Sequence, residues 1–152
     1  MGVSPYIEFA QQIYRMNVSS YIDKKVGLLV AEPKDRLRED SIDFAIIVSD
    51  YCDEIRGCSV FINQLLRCSS SIGANIHEAR YAQSRADFIS KMEIALKECS
   101  ETDYWLELLR RKGRLSQDAY KRLNSQCGSI RRRLIASITT AKANATPRKE
   151  NQ

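Results

Sequence analysis

The chain is 152 residues long, the size of one domain at about 150 residues each, and such a chain buries roughly 70% of its unfolded surface. Hydrophobic residues make up 43% and charged residues 28%, which excludes disorder of the chain as a whole, and 6 glycines with 3 prolines are too few for a sandwich or barrel with a turn signal every ~8–12 residues. The net charge of +5 is uneven: residues 1–75 carry 8 basic against 10 acidic side chains, whereas from Trp105 onward there are 12 against 3, a concentration that attracts phosphate backbones or an acidic protein surface.

In chain order, Ser4-Pro5 reads as a helix cap with proline at the first helical position, and Tyr6, Phe9, Ile13 and Met16 follow at helical spacing. Residues 1–33 are read as an N-terminal extension, a short helix or arm, ending in the break Ala31-Glu32-Pro33. Residues 34–143 then read as four helices. The first has Leu37, Phe44, Val48, Tyr51 and Ile55 on one stripe, with Ala45 and Cys52 beside it, and is expected to end at Gly57. The second begins near Ser59 with Phe61, Leu65, Cys68, Ile72 and Ile76. The third takes Ser84 as N-cap with Asp87 three residues on, a variant of the capping box. Its stripe is Phe88, Met92, Ala95, Cys99, Leu106 and Leu109, with polar Thr102 at one step, and Gly113 closes it. Opposite charges four apart, Asp87–Lys91, Glu93–Lys97 and Lys97–Glu101, predict intrahelical pairs on a solvated face. Ser116 caps the fourth helix, whose stripe is Ala119, Leu123, Cys127, Ile130, Leu134, Ile138 and Ala141. The tail, residues 144–152, is expected to be disordered.

Helices of about 20–28 residues joined by short connections must lie antiparallel to their neighbours. The fold expected is all-α, an antiparallel up-down-up-down four-helix bundle with an N-terminal extension.

No stretch nears the ~18 consecutive apolar residues of a membrane span, and the first residues lack the basic-then-apolar order of a secretory signal. A cytoplasmic location is the expectation. Cys52, Cys58, Cys68, Cys99 and Cys127 form no Cys-x-x-Cys pair and read as reduced, mostly buried thiols. The single histidine, His77, directly precedes Glu78, so the Glu-x-x-His ligands of a di-iron bundle are missing. No phosphate loop or nucleophile elbow is present. No catalytic residue, metal site or cofactor is assigned, and the protein is expected not to be an enzyme.

The most distinctive run is Ser71-Ile72-Gly73-Ala74-Asn75-Ile76-His77-Glu78-Ala79. Its small residues, with Ser69 and Ser70, let a neighbouring helix approach closely, and Asn75 needs a hydrogen-bond partner if buried. The run resembles the signature Ser-Ile-x-x-Asn-Ile-x-Glu-Gly of the bacterial four-helix bundle proteins encoded in intervening sequences of large-subunit ribosomal RNA genes. These are related to the accessory variability determinant proteins of diversity-generating retroelements. Ser71, Ile72, Asn75, Ile76 and Glu78 carry the likeness, followed by Asp87-Phe88, by Ile94-Ala95-Leu96-Lys97-Glu98, and by Glu101-Thr102-Asp103-Tyr104-Trp105-Leu106. The last is similar to the Glu-Thr-x-Tyr-Trp-Leu form of one branch, in which Glu101 and Trp105 are the motif positions. Ala79 stands where the family has glycine, which puts the end of the helix there in question. The resemblance covers roughly residues 36–143. It implies a ring-like homopentamer without enzymatic activity and, for the retroelement branch, binding to nucleic acid and to a reverse transcriptase.

On the residues themselves, Arg131, Arg132 and Arg133 splay over about 200° of the fourth helix. Lys121 and Arg122 lie two to three turns earlier, and Arg110, Arg111, Lys112 and Arg114 crowd the preceding loop. These nine are the candidate nucleic-acid or partner-binding residues, for RNA or an RNA/DNA hybrid read through its backbone. Tyr104, Trp105 and Tyr120 are expected to pack in preference to stacking on bases. The alternative readings are a protein–protein adaptor and a structural homo-oligomer in which residues 1–33 grip the next subunit.

Overall fold

Apolar steps of three and four residues build four helices, α1 (Arg36–Glu54), α2 (Ser59–Ala79), α3 (Arg85–Arg111) and α4 (Gln117–Ala143). This is seen in a computed structural model that describes residues 35–143. The expectations for the extension over residues 1–33, for residue 34 and for the tail over residues 144–152 lie outside the described residues. Connections of four, five and five residues force each helix antiparallel to the one before it. Each packs on the next, and α4 returns against α1. The result is the all-α four-helix bundle that the periodicity predicts.

The local signals act where expected. Ser84 accepts a hydrogen bond from the Asp87 amide at 3.1 Å. Asp87 returns one by accepting from the amide of Gln83, one residue before the cap, at 3.1 Å, so one orphan donor of the helix and the amide that leads into it are both satisfied. Gly113 has φ +68° and closes α3 with the paired bonds of a Schellman motif, Gly113 N–H to the Arg110 carbonyl and Arg114 N–H to the Leu109 carbonyl. Ser116 accepts from the Ala119 amide at 3.2 Å and starts α4. α1 stops at Glu54, three residues short of Gly57, and the chain turns through left-handed Gly57 and Cys58. α2 ends at Ala79 although alanine stands there.

Phe44, Val48, Leu65, Ile72, Leu106, Leu109, Leu123, Ile130 and Leu134 are fully enclosed, each worth roughly 1.5–3 kcal/mol of hydrophobic stabilisation as an upper estimate. Cys52 sits in the core and Tyr51 at its margin, the reverse of the expected order. The stripe of α1 also runs through Ser41, a buried polar residue that the apolar pattern misses. Its hydroxyl donates to the Arg38 carbonyl at 2.7 Å, which removes the cost of burial. It faces Gly73 of α2, where an added Cβ would stand 3.2 Å from the Ser41 oxygen. The close approach expected of the small-residue run is therefore made at Gly73. Thr102 is accommodated likewise, donating to the Glu98 carbonyl at 2.8 Å and lying 3.2 Å from the Cys68 sulfur.

Four of the five thiols are buried and all are free. Burial lifts the Cys52 thiol to about 11 and raises Cys68, while a hydrogen bond with Cys99 and burial push Cys127 up. These groups stay protonated and behave as small apolar side chains. No described helix is long and apolar enough to cross a membrane.

Candidate nucleic-acid interface

The predicted intrahelical pairs on α3 give way to bridges between helices. Lys91 pairs with Glu78 of α2, Glu93 with Lys142 of α4 at 2.7 Å, and Glu101 with Arg67 of α2. Partners on adjacent helices reach these groups because they flank the packed seams, where i,i+4 neighbours on the outer face do not.

The motif residues stitch α2 to α3. Ile72 and Ile76 are core. Asn75, half-buried, donates to the Ser71 carbonyl one turn back at 2.8 Å, so its partner lies within its own helix. Glu78 holds Lys91, and Glu101 accepts from Arg67 and from the Trp105 indole nitrogen at 3.3 Å. Those two donors hold the Glu101 carboxyl below its ordinary range. Trp105 stacks on Phe61 with ring centroids 5.8 Å apart. Exposed His77 accepts a long hydrogen bond from Arg38 at 3.4 Å, and among the described residues no three His, Cys, Asp or Glu side chains are grouped to hold a metal ion.

The nine basic candidates divide sharply. Arg131 pairs with Asp103 of α3 and Arg133 with Asp40 of α1, so two of the three consecutive arginines clamp α4 to its neighbours. Arg132 between them points outward and lies back over Gly128, whose position would bring an added Cβ to 3.5 Å from the Arg132 Nη1. Arg110 and Arg111 share Glu107, with contacts of 2.7 Å, and Arg110 also covers the Tyr120 ring at 5.1 Å. This pair of guanidinium groups lowers the Glu107 carboxyl to about 2. Lys112 sits over the Phe61 ring at 6.0 Å. Arg114, Lys121 and Arg122 are exposed and, like Arg132, have no carboxylate partner among the described residues.

Sequence reasoning did not find Asp103 and Asp40, which pair with two of the three arginines, or Arg67, which pairs with Glu101. Of the nine candidates, those without a carboxylate partner among the described residues lie on the outer side of α4 and in the loop before it. Lys121 and Arg132 lie eleven residues apart within 20° of one another around α4, about 16 Å along it. The other seam of α4, toward α1, holds an open groove of about 420 Å³ lined by Asp40, Asp43, Phe44, Ile46, Gln126 and Ile130 among others. Ile46 of α1 is 55% exposed there, and with Ile42, 38% exposed, it also lines a groove between α1 and α2.

Comparisons with known proteins agree with this build. The family model described as 23S rRNA-intervening sequence protein matches residues 36–136, all of α1 to α3 and most of α4. A crystal structure of a protein with unknown function from the S23 ribosomal protein family of Bacteroides thetaiotaomicron is similar, with 42% sequence identity and a TM-score of 0.64. That likeness covers 67% of this chain and 97% of that one. No curated protein matches the chain. On the extent of that family match, the chain belongs to the 23S rRNA-intervening sequence protein family.

Proposed function

We propose that this chain is a non-enzymatic basic accessory protein that binds nucleic acid through phosphate contacts. The observation that carries the reading is the set of exposed cations Arg114, Lys121, Arg122 and Arg132, which have no carboxylate partner among the described residues. Cations without a carboxylate partner displace the counterions of a phosphate backbone, and each such contact adds salt-sensitive affinity. Nothing on this surface reads base edges in a groove, so recognition is of backbone and shape.

The finer reading is a ring-like homo-oligomer, a pentamer by resemblance, in which the cationic side is repeated around the ring. The exposed Ile42 and Ile46 of α1 support it as the apolar edge on which copies would meet. Assistance to a reverse transcriptase rests on the motif resemblance and belongs to the same reading.

The test is fluorescence anisotropy with a structured RNA and a DNA duplex, at low and near-physiological salt. It compares the wild type with Lys121→Gln/Arg122→Gln/Arg132→Gln. The expected result is binding that weakens with salt, with a log–log slope reduced by about 2–3 in the variant. Absence of binding to either ligand at low salt sinks the reading and leaves the cationic side to an acidic protein partner.

A further inference from the structure

We infer that the outward face of α3 binds single-stranded nucleic acid, with a base stacked on Tyr104 and flanking phosphates on Lys97 and Arg111; this rests on the nucleic-acid reading above. Tyr104 is 59% exposed, a large aromatic ring placed at the middle of a solvated helix face. Its mount is firm. Trp105 meets it edge-on with centroids 5.0 Å apart, and Trp105 is itself held between the Phe61 ring and the Glu101 carboxylate. A ring fixed in this way loses little freedom when a base covers it, and every base offers a π-face for such stacking.

The charges on the face are arranged to suit. Lys97 and Arg111 lie seven residues to either side of Tyr104, two turns or roughly 10 Å each way, and two turns return a residue to within about 20° of the same direction. Both are exposed; Arg111, with 76% of its side chain exposed, shares Glu107 with Arg110, so the two arginines and one carboxylate keep a net positive charge at that end. The carboxylates around them are already occupied. Glu93 is taken by Lys142, Glu101 by Arg67 and Glu107 by Arg110 together with Arg111. Among the described residues, the line cation–aromatic–cation therefore faces solvent with the carboxylates on either side of the ring, Glu101 and Glu107, already paired. Duplex hides its base faces inside the stack, so this line selects single strands, whereas the α4 side accepts either form. Tyr120 and Trp105 do not share the role, since Arg110 covers the first and Phe61 the second.

The experiment uses the full chain and two labelled probes of equal length and mixed sequence, a single-stranded RNA and the corresponding RNA duplex. Wild type, Tyr104→Ala and Tyr104→Phe are compared at low salt, with helicity checked by circular dichroism. Loss of the ring is expected to weaken single-strand binding about fivefold or more, the lower end for one stacked base. Phenylalanine restores it, and duplex binding is unchanged in both variants. The only tryptophan of the chain, Trp105, gives a second readout. Its emission is expected to change on adding unlabelled single strand to wild type and not to Tyr104→Ala. Equal single-strand binding by wild type and Tyr104→Ala overturns the inference and assigns the face to protein contact, while leaving the α4 reading intact. Equal loss of both probes overturns it too. Failure of wild type to bind either probe removes the α4 reading and this one with it.

Discussion

Helices α1 and α4 lie side by side, yet α1 carries six acidic and two basic residues and α4 six basic and one acidic. Where the two touch, the opposition is used for structure, as Arg133 of α4 pairs with Asp40 of α1. On their exposed faces, α1 presents Asp43 and Asp50 with Ile42 and Ile46, Asp43 and Ile46 at the mouth of the groove between the two helices, and α4 presents Lys121, Arg122 and Arg132. The bundle therefore has a predominantly acidic side on α1 and a predominantly basic side on α4. Net charge alone gives neither, because the helix that gathers the positive charge consumes part of it in holding its neighbours.

The strongest way to test that division is to remove the acidic halves of the two clamps. Asp103 and Arg131 are the more enclosed pair, with side chains 23% and 36% exposed, against 43% and 40% for Asp40 and Arg133. Asp103→Ala strands a half-buried guanidinium and is expected to cost about 1–2 kcal/mol, between the values for exposed and buried pairs. Asp40→Ala is expected to cost less than about 1 kcal/mol. Urea unfolding of both variants checks the order, and equal losses would mean that burial does not separate the two clamps. Neither change should weaken phosphate binding, since it frees an arginine.

The contrast also marks what the sequence reveals. Ser84, Gly113 and Ser116 are legible because a cap and its partner lie within four residues, and the stripes of α2, α3 and α4 are legible because burial follows a fixed period. Ser41 is not, because its hydrogen bond to the Arg38 carbonyl hides a polar group in an apolar row. Arg131, Arg132 and Arg133 look alike in the sequence, and only the positions of Asp103 on α3 and Asp40 on α1 tell clamp from free charge. For the same reason Lys91, Glu93 and Glu101 were paired with the wrong partners. Asp87, Lys97 and their spacing are local, but the deciding carboxylates and cations sit on other helices, at sequence separations no local rule spans.

A smaller effect sharpens the comparison from the acidic side. Asp43→Asn/Asp50→Asn removes two outward charges from α1 and none from the cationic surface. Its field reaches that surface at low salt, where screening lengths approach ~30 Å, and fades at physiological salt, where they are ~8 Å. Affinity for a DNA duplex is expected to rise about two- to threefold at low salt and to stay unchanged at high salt. Anisotropy titrations at both salts decide it, and no gain at low salt would mean that α1 does not shape the approach of an anion.

The smallest effect concerns Glu107, the acidic residue that occupies Arg110 and Arg111 at the end of α3. Its carboxyl falls from an ordinary 4.5 to about 2, chiefly because both arginines hydrogen-bond to it. A carboxyl held lower in the folded chain than in the unfolded one binds its proton less readily when folded. It therefore adds stability that is fully present above pH 4.5 and lost as the pH falls toward 2. The two arginines gain from the same place, since cations near a helix C-terminus meet its partial negative charge. Glu107→Gln removes the titrating group and leaves that dipole in place. Thermal unfolding of the wild type and Glu107→Gln across this range is expected to show the wild type more stable at neutral pH, with the gap closing between 4.5 and 2. A gap that persists unchanged at the acid end would show that Glu107 acts through packing and not through its charge. Arg110 and Arg111 would then be held at the end of α3 whatever the state of the carboxylate.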